Sequence, residues 1–129
     1  MTRRFLLDSH AFVWAVFSPE QFGSGARQLV AQADALYVST VSLWELAIKY
    51  RIGKFVHPPG DLFTELAELG ADELTITHRH LSELPGVTLP HGDPFDAMLV
   101  AQASTEGLVL VTADRALTSS AYATLDARA

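Results

Sequence analysis

Short apolar segments that alternate with longer helical patterns constrain the fold of this chain more than any other feature. Three of them are almost continuously apolar: Phe5–Leu7, Leu36–Ser39 and Leu108–Val111. Runs of this length and composition are typical of strands that are buried on both faces. The sequence therefore predicts an α/β fold, a three-layer α/β/α sandwich whose central sheet is mainly parallel.

Capping residues and helix breakers locate the remaining elements, and Gly53 and Gly107 each follow the end of a helical pattern. With 129 residues, the chain fits one domain over residues 1–129. Helices are predicted over residues 11–17, 24–33, 42–51, 59–69, 78–84 and 93–105, a third strand over 74–76 and a weak last strand over 122–125.

Composition excludes several classes of function. The chain has no cysteine, so it can form neither a disulfide nor a thiolate zinc site. Its first apolar stretch is too short for a signal peptide, and no apolar run approaches the roughly 20 residues of a membrane helix, so we expect a soluble cytoplasmic protein. The net charge of −6 argues against coating nucleic acid by bulk attraction. Acids gathered in one pocket would, however, be neutralised locally by divalent cations.

Four acids are expected at the edge of the sheet where the strands have their carboxyl ends. Asp8 ends the first strand and Asp114 follows the fourth. Glu45 is near the start of the helix after the second strand, and Asp96 is near the start of the helix before the fourth. Ligands of open α/β sheets bind at this edge. Oxygen ligands suit Mg²⁺ or Mn²⁺, ions that activate water and stabilise charge on a phosphoryl group.

Taken singly, each of these acids also fits a purely structural role in a helix. Asp8 and Asp114 could each cap the helix that follows. Asp93 before Pro94 is a cap followed by proline at the first helical position, and it puts Asp96 in the first turn, where the helix dipole favours an acid.

Glu45 fits a capping role less well. Ser42 and Glu45 have the spacing of a capping box, with Ser42 at the cap. Apolar residues nevertheless flank Glu45 on almost every side, and a partly buried carboxylate needs a cation. No Lys or Arg is near it in sequence before Lys49, and a divalent ion shared with the other acids would supply that partner.

The four acids occur within motifs that are similar to those of a known family. The segments are Leu7-Asp8-Ser9, Trp44-Glu45-Leu46, His91-Gly92-Asp93-Pro94-Phe95-Asp96-Ala97-Met98-Leu99-Val100-Ala101-Gln102-Ala103 and Val111-Thr112-Ala113-Asp114. Together they resemble the PIN-domain nucleases, and most of all the VapC-type toxins of prokaryotic toxin-antitoxin pairs. The resemblance covers nearly the whole chain, and the order and spacing of the acids agree.

This resemblance implies an α/β/α sandwich that cleaves RNA with Mg²⁺ or Mn²⁺, a cognate antitoxin protein that blocks the site, and a homodimer. Transferred by position, the catalytic and metal-binding acids are Asp8, Glu45, Asp96 and Asp114. Supporting positions are Ser9 and Thr112, which match hydroxyl residues of the family's site, and Asp93, which matches an acid that either touches metal or only caps its helix.

Basic residues are concentrated in one segment, where Lys49, Arg51 and Lys54 alternate with aromatic residues as an RNA contact would. Cations near a helix C-terminus are equally expected from the helix dipole. Of the histidines, His80 is expected at the surface. His91 lies just before Asp93 and either hydrogen-bonds a phosphate or water at the site or is simply a solvated histidine of the loop.

The favoured function is a metal-dependent toxin endoribonuclease, and three other functions stay open. A PIN nuclease that processes RNA without being a toxin would share the motifs. An aspartyl phosphatase with Asp8 as nucleophile is disfavoured because Asp8-Ser9-His10 lacks a second aspartate two residues on. A binding module without catalysis, such as a nucleic-acid-binding regulator, would not need the four acids.

Overall fold

A parallel sheet forms the centre of the computed structural model, which describes residues 3–129. The strands pair in the order β3-β2-β1-β4-β5, and all four neighbouring pairs are parallel. The predicted parallel sheet is therefore confirmed over the described residues. The strands are β1 (Arg4–Leu7), β2 (Ala35–Ser39), β3 (Asp72–Leu74), β4 (Val109–Thr112) and β5 (Thr124–Asp126).

Helices connect the strands. Gly70 and Gly107 end two of them with φ of 76° and 68°, a left-handed backbone that favours glycine. The helices are α1 (Ser9–Phe17), α2 (Ser24–Ala31), α3 (Thr40–Arg51), α4 (Pro59–Leu69), α5 (His78–Glu83), α6 (Pro94–Glu106) and α7 (Arg115–Thr118).

Two hydrophobic cores lie on opposite faces of the sheet. Phe5 and Leu7 of β1 pack into one core with side chains of α1, α2 and α4. Leu6, which points to the other face, packs into the second core with side chains of α6 and α7. Alternate residues of one strand thus enter different cores, which explains why Phe5–Leu7 is apolar throughout and confirms the three-layer α/β/α sandwich.

The third strand was predicted two residues too late. It spans Asp72–Leu74 and pairs with β2 in the register Ser39↔Leu74, so only one residue of the predicted segment belongs to it. As an edge strand it presents Asp72 and Glu73 to solvent, and Ile76 is 40% exposed. A prediction from apolar residues misplaces such a strand, because the side chains of an edge strand are not buried on both faces of the sheet.

The predicted capping box at the start of α3 is wrong. Ser39 is the cap, and its Oγ accepts a hydrogen bond from the backbone N–H of Val41 at 3.0 Å. Ser42 lies inside the first turn, where its Oγ is buried without a hydrogen-bond partner. Glu45 is consequently one turn further into the helix and has no role in the cap.

His80 was expected at the surface but is a fully buried residue of α5. Its Nδ1 accepts a hydrogen bond from the backbone N–H of Thr77 at 3.0 Å, which leaves Nε2 to donate to Glu106 at 3.1 Å. The ring therefore caps α5 and joins it to the end of α6. Within residues 3–129, no helix is long and apolar enough to cross a membrane.

Candidate active site

The sheet topology brings the four acids to one edge. The strand order reverses direction at β1 and β4, which are neighbours, and Asp8 and Asp114 follow these two strands. Ligands of open α/β sheets bind at such a switch point. Because α6 precedes a parallel strand, it runs back across the sheet, and its N-terminus with Asp96 reaches the same edge as the strand ends. Glu45 lies in α3, which follows β2.

These acids line one pocket of about 400 Å³. Two of the three predicted supporting residues, Ser9 and Asp93, line it as well, and the third, Thr112, is fully buried just behind it. The complete lining is Asp8, Ser9, His10, Trp14, Glu45, Lys49, Asp93, Asp96, Ala113, Asp114 and Arg128.

Asp8 and Asp114 are helix caps as well as residues of the pocket. Oδ1 of Asp8 accepts a hydrogen bond from the N–H of Ala11 at 2.8 Å, and Oδ1 of Asp114 accepts one from Ala116 at 2.9 Å. The hydroxyl of Thr112 accepts a hydrogen bond from the N–H of Asp114 at 3.0 Å. Capping and pocket formation are therefore compatible, because a cap fixes the carboxylate without using both of its oxygens.

Burial raises the pKa of Asp8, and the nearby charge of Glu45 raises it further. Hydrogen bonds from Thr112 and from the backbone of Ala11 act in the opposite direction and favour the charged carboxylate. Desolvation dominates, since Asp8 is only 6% exposed.

Asp96 is also electrostatically strained. Burial, followed by the negative charges of Asp93, Asp8 and Asp114 in that order, raises its pKa to about 7. Asp93 is the cap of α6, where its Oδ1 accepts hydrogen bonds from the N–H groups of Phe95 at 2.9 Å and Asp96 at 3.2 Å. The side chain of Asp96 takes no part in this cap. It lies in a pocket whose acids outnumber its positively charged side chains.

Glu45 is held from two sides. The hydroxyl of Ser9 donates a hydrogen bond to Oε1 at 2.5 Å, and the ammonium of Lys49 lies 3.2 Å from Oε2. The cation that the sequence analysis required for this carboxylate is thus supplied in part by Lys49, one turn later in α3. Ser9 orients Glu45 across the junction between α1 and α3.

His91 is closer to the acids than the sequence analysis expected. Its Nε2 lies 3.2 Å from Oδ2 of Asp114 and 3.5 Å from Oδ2 of Asp96. Among residues 3–129, the potential ligand atoms of these three side chains lie within 4.8 Å of one another. The only sequence signal for this contact was the position of His91 in the loop before Asp93.

The predicted basic cluster divides into three different environments. Lys49 lines the acidic pocket. Lys54 lines a smaller groove that shares Ser9, His10 and Lys49 with the pocket, so it lies beside the site. Arg51 is exposed and lines neither cavity.

Three residues of the pocket were missed by sequence analysis: His10, Trp14 and Arg128. His10 and Trp14 are four residues apart on α1 and so share one face of the helix directly after Asp8, which was a usable signal. Arg128 reaches the pocket only because β5 pairs with β4, and nothing in the local sequence indicates it.

Comparison with known proteins gives consistent matches over most of the chain. A family model described as PIN domain matches residues 5–121. The ribonuclease VapC22 of Mycobacterium tuberculosis is 32% identical over 120 residues, which is 88% of this chain and 89% of the relative.

Among solved structures, a chain of VapBC2 from Rickettsia felis, bound to a DNA fragment from the promoter, has a TM-score of 0.64 at 15% identity and covers 95% of this chain and 97% of its own. A chain of DNA-bound VapBC from Salmonella typhimurium has a TM-score of 0.63 at 20% identity, with 92% of both chains covered. Because both sequence identities are low, these structural matches support the fold and nothing further.

Proposed function

Because the chain belongs to the PIN domain family, we propose that it is a metal-dependent endoribonuclease and the toxin of a toxin-antitoxin pair. One observation supports this most strongly. Asp8, Glu45, Asp96 and Asp114 are widely separated in the sequence, yet they line a single pocket at the switch point of a parallel sheet. Helix capping alone gives no reason for Glu45 and Asp96 to be there, since neither caps a helix.

The donor set of the pocket fits Mg²⁺ or Mn²⁺. Carboxylate oxygens are the ligands that these ions prefer. The pKa of Asp96 is raised first by burial and then by three neighbouring acids, whose negative charge a divalent cation would neutralise. We assign the ligand role to Asp8, Glu45, Asp96 and Asp114, and His91 offers a nitrogen donor next to two of them. When bound, the ion supplies an activated water and stabilises the charge that grows on the phosphoryl group.

The surrounding residues of the chain hold these carboxylates in position. Ser9 fixes Glu45 through the 2.5 Å hydrogen bond, and Asp93 fixes the backbone of Asp96 through the cap of α6. Thr112 fixes the backbone of Asp114. Such supporting contacts are needed because a ligand that is loosely held loses metal affinity.

Lys49 and Lys54 are proposed to bind phosphates of the RNA. Lys49 lines the pocket and Lys54 lines the adjoining groove, so both are near the place where a bound strand would be cleaved. Arg51 was proposed with them from the sequence, and its position outside both cavities makes its contribution the weakest of the three.

The partner is proposed to be an antitoxin protein that covers the acidic pocket, and the active form is proposed to be a homodimer. Support for the antitoxin comes from the matching structures, which include VapBC complexes, whereas the name of the relative VapC22 supports only the ribonuclease activity. The homodimer rests on the family resemblance. A PIN nuclease that processes RNA without an antitoxin is the alternative, and induction of the chain alone in a cell would slow growth only in the toxin case.

Cleavage of RNA by the purified protein tests the proposal. We expect cleavage with Mg²⁺ or Mn²⁺ and none in EDTA. Asp96→Asn should reduce cleavage by more than about 100-fold, since even residues behind metal ligands affect activity 10- to 100-fold. Asp61→Asn is the matched control, because Asp61 is also the third residue of a helix that begins with proline but is exposed and does not line the pocket. Full activity in EDTA, or of Asp96→Asn, would contradict the proposal.

A further inference from the structure

Arg128 stands out among the residues of the acidic pocket because it is a cation without a carboxylate partner. Of the two permanent cations in the lining, Lys49 is paired with Glu45, whereas Arg128 forms no ion pair with any carboxylate of residues 3–129. It is exposed at the rim of a pocket that contains five acids. An arginine in such surroundings would be expected to turn towards an acid unless other contacts hold it.

Two contacts hold the guanidinium in place. Its Nη1 donates a hydrogen bond to the backbone carbonyl of Ala113 at 2.7 Å, and its Cζ lies 5.3 Å from the centre of the Trp14 ring. Trp14 is itself packed edge-on against Phe22 with ring centres 6.3 Å apart, so the platform under the arginine is fixed by the core. The guanidinium has five N–H donors, and only one is used by Ala113.

The backbone around Arg128 is anchored as well. The N–H of Ala127 donates to the carbonyl of Thr112 at 2.9 Å, and the carbonyl of Ala129 accepts from the N–H of Ala26 at 3.0 Å. A Cβ at position 23 would lie 2.0 Å from that carbonyl oxygen, so the approach requires Gly23. Both neighbours of Arg128 are therefore fixed, and the side chain is presented to the pocket from a rigid position.

Arg128 also extends a row of residues that face the site. Lys54 and Lys49 share a groove with His10, and the rings of His10 and Trp14 are 6.3 Å apart. The row of positive and aromatic side chains thus runs from Lys54 along α1 to Arg128, beside the acids. This arrangement suits a single strand with its phosphates spaced along the row.

We propose that Arg128, oriented by Trp14 and Ala113, binds a phosphate of the RNA strand next to the phosphate that is cleaved. The proposal rests on the ribonuclease function proposed above and names residues that bind its substrate. Arg128 touches the substrate, and Trp14 is a positioning residue that acts through Arg128. Two N–H donors of a planar guanidinium match two oxygens of a phosphate, whereas a lysine offers only a point charge.

Steady-state cleavage of a single-stranded RNA with Mn²⁺ tests this, with Arg128→Ala, Arg128→Lys and Trp14→Phe compared with the parent. We expect Arg128→Ala to raise KM about tenfold with kcat unchanged, because the phosphate contact is present both before and during the reaction. Arg128→Lys should recover part of the loss, and Trp14→Phe should show a smaller rise of KM. Arg79→Ala is the control, since Arg79 is exposed, donates to the carbonyl of Thr105 and lies away from the pocket.

Direct binding gives a second readout. In the cleavage-deficient Asp96→Asn background, log Kd for the RNA is measured against log salt concentration. Arg128→Ala should lower the slope by about 0.7, the value for one phosphate contact of a single strand, and Arg79→Ala should leave it unchanged.

The outcomes separate the proposals. A lower kcat with unchanged KM would mean that Arg128 only supports the Ala113 carbonyl, and it would overturn phosphate binding. An unchanged KM and salt slope would overturn it too while leaving the ribonuclease function intact. A parent protein that neither binds nor cleaves RNA would overturn both.

Discussion

Replacing Asp96 with asparagine should stabilise the metal-free protein at alkaline pH, although it removes a residue of the active site. The structure gives the reason: Asp96 is partly buried among Asp93, Asp8 and Asp114, and these surroundings raise its pKa from 3.8 to about 7. In the unfolded chain the carboxyl ionises near its ordinary value. The folded state therefore binds a proton more tightly than the unfolded state between these two pH values.

The sign and size of the effect follow from this difference. Below pH 3.8 both states are protonated, and Asp96 brings no penalty. Stability is then lost as the pH rises through the window from 3.8 to about 7, and above it the loss is complete. A shift of this size corresponds to at most about 4 kcal/mol. The side chain is 16% exposed, so solvent screens only a small part of it.

Urea unfolding in EDTA at pH 5 and pH 8 measures the effect. We expect Asp96→Asn to gain up to about 4 kcal/mol relative to the parent at pH 8 and clearly less at pH 5. In Mn²⁺ the parent should be stabilised by RT ln(1 + [L]/Kd), and this gain should shrink in the variant. The control Asp61→Asn, at the same position of α4, should show neither response.

Equal destabilisation of Asp96→Asn at both pH values would refute this reasoning. It would mean that Asp96 acts only on the dipole of α6, as the first-turn position alone suggests.

Three further changes separate the roles of the site residues. Glu45→Gln should keep the hydrogen bond from Ser9 but reduce the rise in Tm on adding Mn²⁺, and an unchanged rise would remove Glu45 from the ligand set. Asp114→Ala should lower the free energy of unfolding in EDTA by roughly 0.5 to 2 kcal/mol, because the helix loses its cap. Asp114→Asn should not lower it, since asparagine also caps helices, and equal losses of the two variants in urea unfolding would exclude the cap as the cause. Lys49→Ala combined with Lys54→Ala should flatten the salt dependence of RNA binding by about 1.4 units. An unchanged slope would exclude phosphate binding and leave Lys49 its ion pair with Glu45 and its place at the end of the helix.

The strands of the sheet differed in how well the sequence indicated them. Phe5–Leu7 belongs to a strand whose residues enter cores on both faces, so its apolar pattern reflects its position directly. The edge strand Asp72–Leu74 has two exposed residues and is held mainly by backbone pairing with β2, which leaves little trace in the pattern. The sequence pattern therefore indicates which strands are buried. It indicates strand pairing only for strands that are also buried.

The start of α3 shows a different limit. Ser39 and Ser42 are both residues that cap helices, and only the three-dimensional position of β2 decides between them. The helix begins directly after the strand, so Ser39 caps it and Ser42 becomes a buried residue of the first turn. The chemistry of a cap is readable from sequence, but its location depends on where the preceding strand ends.

The meeting of the four acids in one pocket could be predicted because each is tied to a nearby element: Asp8 and Asp114 follow strands, and Glu45 and Asp96 lie in helices next to strands. The position of Arg128 at the rim of the pocket could not be predicted in the same way. Arg128 reaches Trp14 across more than 100 residues of sequence, through pairing of the last strand. Contacts of this kind depend on tertiary packing and have no local signal.

The central claim is that Asp8, Glu45, Asp96 and Asp114 form one divalent-metal site, and crystals grown with Mn²⁺ test it most directly through anomalous scattering. The account predicts a manganese peak inside the pocket that these four acids line, within coordination distance of their carboxylate oxygens. The peak should be lost or greatly weakened in Asp96→Asn and retained in Asp61→Asn. A pocket without a peak in the parent, or a peak that Asp96→Asn leaves unchanged, would contradict the claim.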